Sequence, residues 1–280
     1  MTKLLVTGHK GFIGSRLVRV LTDKAEDVVG MDTVDYLSGS SELNRSTFNS
    51  LLSNYLPDAI FHVGANSNTL DSDVNGMFLL NYEITKWISD WALDNSKPVI
   101  YSSSAANYGA HGEYPSNLYG WSKYAAEDYV RKSGGVSLRY FNVYGPGESH
   151  KSTMASFVYQ AYLRASNQVD VLLFPGKPER DFIHVDDVCA ANIFALDHFS
   201  EPGISGGVFE VGSGHAHTFE EALGQFGIDW GYLPEAHVPP GYQMFTQAKS
   251  KRFLPGWKPN IDFLSGMAKY RAHLEGNLDS

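Results

Sequence analysis

Val6-Thr7-Gly8-His9-Lys10-Gly11-Phe12-Ile13-Gly14 follows a short apolar run, Lys3 to Thr7, and opens a stretch in which Ile13, Leu17, Val18 and Leu21 recur at helical spacing. Strand, spaced glycines and amphipathic helix, in that order, predict a phosphate-binding turn. Gly8 permits the tight turn, Gly11 lets backbone approach a pyrophosphate, and Gly14 allows close helix packing. The helix N-terminus adds oriented N–H donors and partial positive charge. Eighteen residues after Gly14, Asp32 ends a second β-branched run, Asp27 to Met31, where a carboxylate can accept hydrogen bonds from an adenosine ribose. Glycines alone punctuate many turns; the strand, the helix, the second strand and its terminal Asp are the context that a dinucleotide fingerprint requires.

Working outward, Asp58 to Val63, Pro98 to Ser103 and Val136 to Phe141 read as further strands. Helical patterns fill the gaps. Between Asn75 and Asp94, Met77, Leu80, Ile84, Ile88 and Trp91 share one apolar face, which should cover a sheet. This alternation predicts an α/β fold: a Rossmann-like doubly wound parallel sheet with a smaller C-terminal substrate-binding lobe. Residues 1–145 are expected to hold mainly the dinucleotide-binding region and residues 146–280 mainly the lobe, some segments returning to the first region. In the lobe we expect a helix from Met154 to Ala165, strands at Asp181 to Val185 and Val208 to Val211, a helix from Phe219 to Phe226 and a loop from Pro234 to Gly241.

A chain of 280 residues, 43% of them hydrophobic, can bury a large core, which excludes disorder. A net charge of −9 argues against non-specific binding to nucleic acid or an anionic membrane. One cysteine, Cys189, excludes an internal disulfide framework and a cysteine-rich zinc site, and no metal is expected. No basic and apolar leader precedes the first strand and no apolar run approaches the ~18 residues of a membrane helix, so cytoplasm is expected. A homo-oligomer is expected too.

Tyr119-Gly120-Trp121-Ser122-Lys123 sets Tyr and Lys four apart, on one face of a helix. A phenol with an ordinary pKa of ~10 is a poor base at neutral pH, so a nearby ammonium should lower it, and Lys123 is expected both to do so and to hold a nicotinamide ribose. Upstream, Ser102-Ser103-Ser104-Ala105-Ala106 follows a strand at the edge where open α/β sheets bind ligands, and Ser104 is the candidate donor to a reacting oxygen. YxxxK arises by chance and serines cap helices. Only together with the glycine turn do these residues assume consistent roles.

Together these residues resemble the extended short-chain dehydrogenases that epimerise nucleotide sugars. Within them, Arg139-Tyr140-Phe141-Asn142-Val143-Tyr144-Gly145-Pro146, the following Gly147-Glu148-Ser149-His150-Lys151-Ser152-Thr153-Met154-Ala155-Ser156, and Gly241-Tyr242-Gln243-Met244-Phe245-Thr246-Gln247-Ala248 look like ADP-L-glycero-D-manno-heptose 6-epimerases. The stretch Arg180-Asp181-Phe182-Ile183-His184-Val185-Asp186-Asp187-Val188 is similar too, but is shared by many relatives. The resemblance implies an NAD- or NADP-dependent epimerase of a nucleotide-diphosphate sugar, which oxidises the sugar transiently and reduces it again on the opposite face. It implies cofactor contacts at Phe12, Ile13, Asp32, its neighbour Thr33, Ala65, Asn81, Lys123 and Val143. Asn142, Thr153, Arg180 and Tyr242 would contact the nucleotide sugar, and Lys151 would sit opposite Tyr119 as a second acid/base. The alternative for Arg180 is an ion pair with Asp181 or Asp186, and for Lys151 a diphosphate contact.

Two departures from that pattern bear on function. The family's lysines after the second strand, which bind a 2′-phosphate, have no counterpart in Asp35-Tyr36-Leu37-Ser38-Gly39-Ser40, which makes NAD credible. Gln160 stands where the family has a substrate-contacting His, so the sugar can differ. The alternatives are a UDP-sugar 4-epimerase, a GDP-fucose synthase-like epimerase/reductase and a dinucleotide-sensing protein without turnover.

Overall fold

The computed structural model describes residues 2–37, 39–110, 112–239 and 242–276. Ser38, Pro240 and Gly241, which belong to stretches quoted above, lie outside them. The chain runs β1 (Lys3–Thr7), α1 (Phe12–Asp23), β2 (Asp27–Met31), α2 (Ser41–Tyr55), β3 (Ala59–His62), α3 (Val74–Phe78), α4 (Ile84–Asp94), β4 (Val99–Ser104), α5 (Leu118–Lys132) and β5 (Val136–Tyr140). It continues through β6 (Asn142–Tyr144), α6 (Phe157–Ser166), β7 (Leu172–Leu173), β8 (Glu179–His184), α7 (Val185–Asp197), β9 (Val208–Val211), β10 (Ala216–Thr218), α8 (Phe219–Phe226), β11 (Gly231–Tyr232) and α9 (Phe263–Leu274).

Six parallel strands form the main sheet in the order β2-β1-β3-β4-β5-β9. Parallel strands need both faces covered, so their residues alternate between two apolar layers. Leu4 and Val6 of β1 pack with Leu17 and Leu21 of α1 and with Val188 and Ala191 of α7. Leu5, between them, points the other way, to the layer holding Phe48 and Leu52 of α2 and Trp87, Ile88 and Trp91 of α4. Val208–Val211 is a strand as expected, but it belongs to this sheet as β9, beside β5, and not to the lobe.

The helical pattern from Asn75 to Asp94 contains a break in hydrogen bonding that apolar spacing does not reveal: Leu79–Glu83 is a π-helical turn joining α3 to α4. Such turns insert an extra residue and re-aim the side chains around it. Asn81 sits at its centre.

A second sheet, β10-β8-β6, and the pair β11-β7 build the lobe with α6, α8 and α9 around Tyr144, Val158, Phe182, Leu223, Phe226, Met267 and Tyr270. The helix expected from Met154 begins at Phe157, where Ser156 caps it by accepting Tyr159 N–H at 3.2 Å; Ser149–Met154 forms a tighter 3₁₀ helix instead. No helix among the described residues is long and apolar enough to cross a membrane.

Candidate active site

The chain passes from β1 to β2 on one side and returns to β3 on the other, so the strand order reverses between β1 and β3. A crevice must open at the carboxyl ends of strands at such a point. A cleft of about 630 Å³ lies there, lined by Thr7, Gly8, Gly11 to Gly14, Asp32, Thr33, Ala65, Ser104, Tyr119, Lys123, Val143 and Lys151 among others.

The glycine turn is crowded most at Gly8 and Gly14 and less at Gly11. Gly8 has φ +67°, and an added Cβ would stand 2.5 Å from the Gly64 Cα; a Cβ at Gly14 would stand 2.1 Å from the Gly8 carbonyl oxygen. At Gly11 the nearest atom to an added Cβ is the Gly8 carbonyl oxygen at 3.2 Å. Gly11 is also the N-cap of α1 and supplies no side-chain cap to the first-turn N–H groups. Uncapped donors beside an open backbone face form a cradle that a pyrophosphate fits and a side chain would fill.

Asp32 follows β2 and caps a short 3₁₀ turn, Thr33–Asp35: its Oδ1 accepts Thr33 N–H at 2.9 Å, and the Asp35 carboxylate accepts Asp32 N–H at 2.6 Å. Buried Tyr36 lies beneath, its phenol pushed well up by burial and by both carboxylates. This end of the cleft is therefore anionic. Of the residues lining the cleft, Lys123 and Lys151 are the lysines, and no arginine is among them.

Helix α5 starts at Asn117, whose side chain accepts Gly120 N–H at 2.8 Å, and this start puts half-buried Tyr119 and buried Lys123 on one face toward the cleft. The Lys123 Nζ lies 4.5 Å from the centre of the Tyr101 ring. Burial lowers its pKa to about 7, against the charge of Glu127 one turn on. Burial raises the Tyr119 phenol, and the neighbouring Ser104 hydroxyl acts against it. The lowering expected from Lys123 and a nicotinamide charge is thus not what the protein alone exhibits: burial raises the phenol, which keeps its proton at neutral pH.

Glu127 was not singled out from sequence. Its Oε2 accepts Ser103 Oγ at 2.6 Å, Asn107 Nδ2 at 3.1 Å and Arg139 Nε at 2.8 Å, while Arg139 Nη2 reaches Oε1 at 2.5 Å. One carboxylate thereby ties the ends of β4 and β5 to α5. Another unread residue is His62, buried between Thr7 Oγ1 at 2.7 Å and Thr85 Oγ1 at 2.8 Å, with its pKa lowered to about 3, first by burial and then by Lys123. Asn81 does not line the cleft. It accepts Asn66 N–H at 2.7 Å and donates to Ser122 Oγ at 2.9 Å, bracing the cleft-lining Asn66 against α5.

Lys151 enters the cleft from the 3₁₀ helix, its Nζ 5.6 Å from the centre of the Phe12 ring, and burial lowers its pKa. Asn142, Thr153, Arg180 and Tyr242 lie outside the cleft wall. Arg180 pairs with neither aspartate proposed for it. Asp181 accepts Ser213 N–H, Ser213 Oγ, Gly214 N–H and Ala248 N–H, and Asp186 pairs with Arg16 and Lys269. The Arg180 guanidinium instead stands 5.3 Å from the Tyr242 ring and 5.4 Å from the Phe219 ring, 8% exposed and, among the described residues, without a carboxylate partner. Asn142 Nδ2 bonds to the Asp181 carbonyl at 3.4 Å and to Thr246 Oγ1 at 3.3 Å; Thr153 is exposed. Gln160 donates to the carbonyls of Thr153 at 3.1 Å and Ala155 at 2.7 Å, so its amide braces the Lys151 loop.

Residues 4–212 match the NAD dependent epimerase/dehydratase family. The ADP-L-glycero-D-manno-heptose-6-epimerase of Brachyspira hyodysenteriae is 35% identical over 97% of this chain and 98% of its own, and that of Cupriavidus pinatubonensis is 33% identical over 95% and 97%. The solved structure of the Helicobacter pylori enzyme of the same name superposes with a TM-score of 0.82 at 27% identity, over 98% of this chain and 96% of that one.

Proposed function

Since the chain belongs to the NAD dependent epimerase/dehydratase family, we propose that it is a nucleotide-sugar epimerase that inverts C6 of an ADP-linked heptose with NAD as cofactor. The observation that carries this reading is the convergence of Ser104, Tyr119, Lys123 and Lys151 on the cleft that also holds the open glycine turn. The dinucleotide supplies transient removal and return of hydride at the sugar carbon. The residues of the chain handle the proton and the charge. Tyr119 exchanges the proton of the sugar hydroxyl on one face, Ser104 donates a hydrogen bond to the oxygen as negative charge grows on it, and Lys123 favours the phenolate once the site is filled. Lys151 exchanges the proton on the opposite face, which spares the intermediate from turning with its oxygen held at the Tyr119 hydroxyl. The lone guanidinium of Arg180, with Tyr242 beside it, suits the diphosphate and base of the substrate, for a buried cation without a protein anion is costly unless a ligand supplies one. Asp32 favours NAD, since a 2′-phosphate would meet its carboxylate at the cleft wall.

The test is incubation with ADP-heptose and with UDP- and GDP-sugars, read by NMR for stereochemistry at each carbon. Inversion at C6 of the ADP-sugar is expected, and inversion at C4 of a UDP-sugar alone would replace this reading. In single turnover, Tyr119→Phe and Lys151→Met should each slow the chemical step by about 10²-fold or more while nucleotide-sugar affinity holds, the scale of general acid–base catalysis. Weakened binding at an unchanged chemical rate in Lys151→Met would make it a diphosphate contact.

A further inference from the structure

Three residues before Lys151, Glu148 is 1% exposed. Its carboxylate accepts hydrogen bonds from Tyr270 Oη at 2.8 Å, Ser156 Oγ at 2.7 Å, Gly145 N–H at 3.4 Å and Ser156 N–H. Its carbonyl oxygen accepts the Lys151 N–H at 3.0 Å. The donors come from the turn after β6, from the cap of α6 and from α9, which the Glu148 carboxylate joins at the edge of the lobe core. Among the described residues Glu148 forms no ion pair. Tyr270 is a fixed donor, because burial and the Glu148 charge drive its phenol far above the ordinary value.

We propose that Glu148 is a positioning residue for Lys151: clamped by Tyr270 and Ser156, it fixes the turn whose next step carries the lysine side chain into the cleft. Four donors already call for a carboxylate, since both of its oxygens accept, whereas an amide would set its NH2 against a donor. The same charge also acts on Lys151, counteracting in part the desolvation that lowers its pKa. Gln160 holds the far end of the same loop through Thr153 and Ala155.

The inference rests on reading Lys151 as the second proton-transfer group, but its test needs no turnover. With lysines carrying ¹³C-methyl groups and the Lys151 resonance assigned by Lys151→Arg, Glu148→Gln should move that resonance toward those of exposed lysines and leave Lys97 and Lys258 in place. A Lys151 resonance at its wild-type position in folded Glu148→Gln overturns the proposal, whatever the loss in Tm. Should Glu148→Gln not fold, Tyr270→Phe removes one donor and keeps the ring. Hydrogen exchange across residues 149–154 should then quicken while residues 8–14 stay as protected as before, and equal protection in both segments overturns the proposal equally. Wild-type turnover in Lys151→Met would remove the catalytic reading of the lysine without touching either result.

Discussion

The Lys123 ammonium rests 4.5 Å above the Tyr101 ring, in a pocket that draws its pKa down to about 7. An unfolded lysine titrates near ~10.4, so between about pH 7 and 10 the unfolded chain binds more protons at this position than the native one, and stability rises with pH there. Below about 7 both states are charged and the slope vanishes. Wild-type Tm should therefore gain on that of Lys123→Met as pH is raised from about 7 to 9.5. Melting curves that stay parallel across this window would contradict the assignment.

Gly11→Val should abolish dinucleotide binding without unfolding the chain, because an added Cβ at Gly11 meets one carbonyl oxygen at 3.2 Å, whereas at Gly14 it meets one at 2.1 Å. Calorimetry decides: a folded variant with wild-type affinity for NAD would show that the cradle is not the phosphate site. Gly14→Val should fail to fold, for backbone cannot give way as a flexible side chain does.

Asp32→Ser should narrow the preference for NAD over NADP by about tenfold or more, since a 2′-phosphate would lose a charge facing it at close range. Affinities of both dinucleotides for both proteins measure this. A wild-type protein that holds NADP far more tightly than NAD ends the argument from Asp32.

Arg180→Gln should weaken nucleotide-sugar binding by about 10- to 100-fold, the range of a lost charge-assisted hydrogen bond or two. Dinucleotide affinity should not change, as Arg180 lies outside the cleft that holds the glycine turn. Because, among the described residues, no carboxylate depends on this guanidinium, Tm should hold or rise. A marked fall in Tm would reveal a structural partner instead.

Glu127→Ala should cost about 3–5 kcal/mol, the usual result of stranding one member of a buried ion pair, here Arg139. Denaturant unfolding tests it, and a loss below about 1 kcal/mol, the value of an exposed pair, would mean that Arg139 escapes to solvent.

The same carboxylate illustrates what could be read from sequence. Strands Lys3–Thr7, Asp27–Met31 and Val208–Val211 span the same residues as the runs read from sequence, and each ends where Gly8, Asp32 or Gly212 follows. The glycine turn, Asp32 and the Tyr119–Lys123 face depend on residues near in sequence, and the structure brings them to one cleft. Glu127, Glu148 and Asp181 could not be found that way. By type they are surface charges, and their donors lie up to 122 residues distant, as Tyr270 does from Glu148. Asp181 was weighed only as a partner for Arg180, yet it serves backbone donors near residues 213 and 248. Nor does periodicity reveal a π-turn, since apolar residues three and four apart suit both kinds of helix.

The sixth strand has a consequence for biosynthesis. β9 pairs with β5 only after residues 208–211 have left the ribosome, and α7, which covers α1, also follows residue 145. Until then β5 presents a bare hydrogen-bonding edge, and Leu17, Leu21 and Val6 lack their cover. A nascent chain that has already made its entire glycine turn is thus still without a finished sheet. Chaperone engagement should peak while the lobe is being translated.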